Sequence, residues 1–132
     1  MRRALALAAA AVLAAGCRGE QGPVSGELSV RLTTSHVGDR AIQFVVIGAA
    51  RAATAPTGSG YQVFSDAPAG TDTTHVVVVA PPATGLIAGD IARIAVNDTR
   101  RVRSYAARVI AVAVPDYGLG DTTDVSLAVV RP

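Results

Sequence analysis

Four consecutive valines, Val76 to Val79, run between His75 and Ala80-Pro81-Pro82. β-Branched side chains lose rotamer freedom in a helix and pack well on a pleated surface, so this run selects a strand. The two prolines end it. An unbroken apolar run predicts a central strand covered on both faces. Elsewhere, short apolar segments alternate with glycine, proline and aspartate turns. Leu28, Val30 and Leu32 alternate with Ser29 and Arg31, as in a strand with one buried face. Ile42, Phe44 and Val46 repeat the pattern over 41–47, and Val45 and Ile47 give the opposite face partial cover. Further strands are expected over 61–65, 73–80, 90–96, 105–114 and 123–130. Residues 49–55 are rich in alanine and fit a helical turn or an edge strand, ended by Pro56. Asn97-Asp98-Thr99 is expected to cap one helical turn through Arg103. No long helical period separates the strands, which argues against parallel βαβ units. The expected fold is all-β: a single antiparallel sandwich of about seven to nine strands, immunoglobulin-like in style. A closed barrel is the alternative.

The N-terminus has a different character. Arg2 and Arg3 precede an uncharged apolar stretch, Ala4 to Ala15, of 12 residues. A spanning helix needs about 20, and Arg18 and Glu20 close this one. The small residues Ala14, Ala15 and Gly16 let a peptidase bind extended backbone just before Cys17. Leu13-Ala14-Ala15-Gly16-Cys17 resembles the lipobox of a bacterial lipoprotein signal peptide, although Ala14 stands where such motifs usually carry leucine. The resemblance implies cleavage before Cys17, a diacylglycerol thioether on its sulfur and anchorage in the cell envelope. Arg18, rather than aspartate, after the cysteine implies the outer membrane rather than the inner. The organisation expected is a signal at 1–16, a lipidated Cys17 with a flexible glycine-rich tether to Gly26, and one sandwich domain over 27–132.

Removal of the signal changes the charge balance. The whole chain carries 12 basic and 10 acidic residues, and the signal holds two of the arginines, so the remainder is neutral. A neutral domain is a poor partner for nucleic acid. Cys17 is the only cysteine, so the domain has no disulfide and folds on its core alone.

Asp39 to Val46 is similar to an early strand of cohesin-like domains. Gly85 to Val96, followed by Tyr105 to Val114, is similar in order to later cohesin segments. Cohesins belong to a wider group of sandwiches that includes carbohydrate-binding modules. The resemblance implies a sandwich with a non-catalytic, binding role.

The residues that could carry chemistry are few. His36 and His75 read as surface side chains, and Gly58-Ser59-Gly60 is not a nucleophile elbow. We expect no catalytic residues and no cofactor; a small envelope hydrolase ranks third among the functional readings. Asp116, Asp121 and Asp124 surround one loop with Gly118 and Gly120. They are the candidate ligands were calcium bound, but they read as solvated turn residues, and no metal is expected. Arg100, Arg101 and Arg103 form the one charge cluster, read as a solvated turn that could also meet anionic headgroups. Tyr61 and Tyr105 occupy strand positions, which leaves Tyr117 as the loop aromatic and candidate ligand-binding ring. The leading expectation is a lipid-anchored interaction module for an envelope protein partner, met through edge strands. A carbohydrate-binding module is the alternative, favoured by an exposed Tyr117.

Overall fold

The computed structural model describes residues 22–132, so the signal segment and Cys17 lie outside the described residues. Eight strands follow: β1 Gly26–Thr34, β2 Ala41–Ile47, β3 Ala50–Thr54, β4 Gln62–Asp66, β5 Thr73–Val79, β6 Gly89–Val96, β7 Ala106–Ala113 and β8 Val125–Val130. They form two four-stranded antiparallel sheets, ordered β3-β6-β1-β8 and β4-β5-β2-β7. The fold is an all-β sandwich. The alanine-rich segment 49–55 supplies edge strand β3, and Asp98 caps a short 3₁₀ turn, Thr99–Ser104, by accepting from the Arg100 N–H.

Alternation sets the core. Leu28, Val30 and Leu32 of β1 and Ile42, Phe44 and Val46 of β2 are all buried between the sheets. Val76, Val78, Ile94 and Val96 join them. Each such side chain contributes roughly 1.5–3 kcal/mol by leaving water. The valine run departs from its expectation of cover on both faces. β5 is central, but only Val76 and Val78 are fully buried; Val77 and Val79 face outward and are half-buried. The outer face of this sheet lacks a covering layer among the described residues.

Two irregularities re-aim side chains. The β1–β6 register slips where Val30 faces Ala92 and Arg31 faces Asp90, and both Ile91 and Ala92 enter the core. The β2–β7 register slips between Gln43 and Phe44, which pair with Ala111 and Val109, and Ile110 is left half-exposed. An extra residue in one strand of a pair has this effect.

The registers also fix the two ends of the sandwich. β1 starts beside the end of β6 (Gly26 with Val96), and β2 ends beside the starts of β5 and β7 (Ile47 with Thr73 and Ala106). The 3₁₀ turn and residues 22–25 therefore share one end, here called the tether end. The loops after β1, β3, β5 and β7 lie at the far end. At the tether end the Val24 carbonyl accepts from Thr99 N–H at 2.8 Å, and the Gly22 carbonyl accepts from Arg100 at 2.5 Å.

Candidate functional site

The outer face of the second sheet is built by the residues that alternate with the core. Register places Phe64, Val77, Gln43 and Ala111 in one row across the four strands, and Gln62, Val79, Ala41 and Ala113 in the next. Leu119 bridges to Ala113 beside the second row and is 85% exposed, while Phe64 on edge strand β4 is 60% exposed. The alanines are short, so the face dips between the large side chains. A shallow hollow of ≈ 190 Å³ lies over Ala41, Gln43, Val77 and Ala111, with Leu119 at its edge. Charge is confined to a third row, where Asp66, His75 and Arg108 flank Val45. The amides of the exposed Gln43 and Gln62 interrupt this face, but its apolar members adjoin, and adjoining exposed apolar side chains mark a contact site more often than scattered ones do.

The edges offer less than sequence suggests. Ser65 Oγ on β4 accepts from the Ala53 N–H on β3, joining two edge strands across the sandwich at 3.1 Å. At the other side, the loop after β7 folds back along it: Val114 N–H donates to Gly118 O, and Gly120 N–H to Val112 O. Free ladder groups for β-augmentation are reduced accordingly.

The far end carries a second concavity. Tyr117 sits in a tight turn, its N–H donating to Val114 O at 2.8 Å while Asp116 Oδ1 accepts from Gly118 N–H. Its φ is +66°, the one positive value at a non-glycine residue among those described. Such a conformation costs an L-residue roughly 1–2 kcal/mol. The ring is 63% exposed. With Gly60, Gln62, Val79, Pro81 and Pro82 it lines a groove of ≈ 400 Å³. The Arg40 guanidinium lies 6.0 Å from the ring centroid, held by the carbonyls of Pro82 and Pro115. Ring and cation sit at the outer limit of cation–π range. Tyr61 packs against the core, and its hydroxyl accepts from Ile87 N–H.

Those are the two candidate sites. No protein-family model, curated protein or solved structure matches this chain.

The remaining candidates do not converge. Asp116 caps its own turn, Asp121 accepts from the backbone and hydroxyl of Thr123, and Asp124 meets Ser35 Oγ at 3.5 Å. The two Thr123 donors hold the Asp121 carboxyl below the usual carboxylate range. Among the described residues, no three potential ligands cluster. His36 is a part-buried side chain, 24% exposed, whose Nδ1 contacts the buried Asp39 at 2.9 Å. An acid thus orients an imidazole, but Ser35 turns to Asp124 instead, and among the described residues no hydroxyl bonds the ring. The pair closes the β1–β2 loop. At the tether end, burial opposes the charge on Asp98, yet the N–H groups of Arg100 and Val24 and the Arg100 side chain hold its carboxyl below the usual range.

Proposed function

We propose that this chain is a lipid-anchored, non-catalytic envelope protein whose domain docks a protein partner on the outer face of its second sheet. The observation that carries this is the mostly apolar, alanine-hollowed face between Phe64 and Leu119, with the Gln43 amide as its one polar group in the hollow. A flat sheet face buries area without ordering a flexible loop, which lowers the entropic cost of docking. Support for the anchor is Leu13-Ala14-Ala15-Gly16-Cys17 after the Arg2-Arg3 and apolar segments. Two acyl chains at one cysteine hold a protein on a membrane stably, at about 0.8 kcal/mol per buried methylene.

The anchor is tested by intact mass of the protein purified from its host. A chain starting at Cys17 and carrying diacylglycerol is expected, with that mass absent from Cys17→Ser. An unmodified native chain refutes the anchor.

The partner is sought by tagging the C-terminus, solubilising membranes in mild detergent and identifying what co-purifies. A stoichiometric protein is expected, lost from the Phe64→Ser/Leu119→Ser variant. Both side chains are exposed, so its stability should stay within about 1 kcal/mol of the parent. A partner retained at full yield by that variant removes this face from consideration.

A second reading is supported by the far end. An exposed tyrosine ring beside an arginine and the Gln62 amide is the chemistry of a sugar subsite. Retention on envelope polysaccharide, with no protein partner, would place it first.

A further inference from the structure

The described domain is neutral, but its charges are not evenly spread. Arg51, Arg100, Arg101, Arg103, Arg108 and Arg131 lie toward the tether end, against Glu27, Asp66, Asp72 and Asp98. The far end reverses the balance: Asp39, Asp90, Asp116, Asp121 and Asp124 face Arg31, Arg40 and Arg93. Asp90 is paired with Arg31 at 3.0 Å and with Arg93 at 3.6 Å, and the other four acids outnumber Arg40. One end of the sandwich thus carries an excess of two arginines and the other an excess of two acids.

The second observation is where the chain leaves the domain. Val24 is bonded to Asp98 and Thr99, and Gly22 to Arg100, so the backbone departs from the arginine-bearing 3₁₀ turn itself. Five residue steps join Gly22 to Cys17. Fully extended, they span at most about 18 Å. A lipid on Cys17 thus keeps this turn within about two Debye lengths of the headgroups at physiological salt. Asp98 is engaged in capping the turn and pairing with Arg100. Arg101 is 77% exposed, with only a 3.8 Å contact to Asp98, and Arg103 and Arg131 are exposed as well.

We propose that the tether end is a membrane-contacting surface in which Arg101, Arg103 and Arg131 bind anionic lipid headgroups. It rests on the lipid anchor proposed above. The contact stands the domain upright, with the acidic end, Tyr117 and the far-end groove directed away from the bilayer. The apolar face of the second sheet is then presented sideways, along the membrane plane. Two weak signals, a tether and a basic patch, together fix an orientation that the tether alone leaves free.

The test uses the native lipidated protein reconstituted in vesicles of phosphatidylcholine, with or without phosphatidylglycerol. The chain has no lysine, so phenylglyoxal modification followed by peptide mass spectrometry reads each arginine. Labelling of Arg101, Arg103 and Arg131 should fall at least about five-fold on anionic vesicles. Labelling of Arg31 and Arg40 should not change, and 0.5 M salt should abolish the protection. In Arg101→Glu/Arg103→Glu, Arg131 should lose its protection. Equal labelling on both vesicle types overturns the proposal. So does protection by a soluble acidic polysaccharide with none on anionic vesicles, which would make the patch a glycan contact. Flotation separates the two readings. Binding to anionic vesicles alone supports the basic surface while refuting the anchor; binding to neither refutes both.

Discussion

Val78→Asp is expected to abolish the folded domain. Val78 is fully buried, lies between Ile42 of β2 and Val63 of β4, and points at the opposing sheet. The substitution removes about 2 kcal/mol of apolar burial. It also places a carboxylate where no partner stands, and an unpaired buried charge costs several kcal/mol more. Domains of this size have roughly 5–15 kcal/mol in hand, and this one has no disulfide to restrain its unfolded chain. Circular dichroism should show loss of the β signal at room temperature. Val77→Asp is the informative partner: its side chain is on the outer face, so the protein should fold with about 1 kcal/mol less stability. Equal damage at both positions would mean that the outer face is covered after all.

Gly85→Ala should be the most damaging single-methyl change. Gly85 has φ +68°, and a Cβ there would stand 2.6 Å from the Gly38 Cα and 2.8 Å from its carbonyl carbon. Both obstacles are backbone, so no side chain can swing aside. The contact exists because Gly85 and Leu86 press the β5–β6 loop onto the β1–β2 loop, where Leu86 N–H donates to Asp39 O at 2.7 Å. Separating the loops would disturb the His36–Asp39 pair and the buried Leu86 together. A loss of about 3 kcal/mol or more is expected in urea unfolding, from clash and backbone strain combined. Gly58→Ala is the control: φ is +74° there, but no atom lies within 4 Å of the added methyl, so only the backbone term of about 1 kcal/mol should appear. Similar losses at the two glycines would show that the loop–loop contact contributes little.

The inward positions of β1, β2 and β6 were legible because alternation is a local property: each pattern of Leu28-Val30-Leu32 type names its own buried face. Ile91 was not. It breaks the parity of β6, and the slip that carries it inward depends on how β1 pairs with that strand. Segment 49–55 was ambiguous because alanine has little intrinsic preference for a strand; β3 exists through its pairing with β6. The valine run marked a central strand correctly, but what lies over its outer side depends on the rest of the fold. Tyr117 stood out in the sequence as a loop aromatic. Arg40, its neighbour, did not, since the two are brought together only by the meeting of the β1–β2 and β7–β8 loops. The His36–Asp39 pair lies three residues apart and could have been suspected, but its burial requires the β5–β6 loop above it.

Strand β1 has one more consequence, in time rather than space. Among the described residues it is the first strand made, yet both of its neighbours, β6 and β8, come from the second half of the chain. Until Val130 is available, β1 lacks one whole ladder of hydrogen bonds, and its sheet lacks an edge. Pairings between distant parts of a chain are slow to form, because loop closure precedes any reward. A nascent chain of this kind stays open while it is being made.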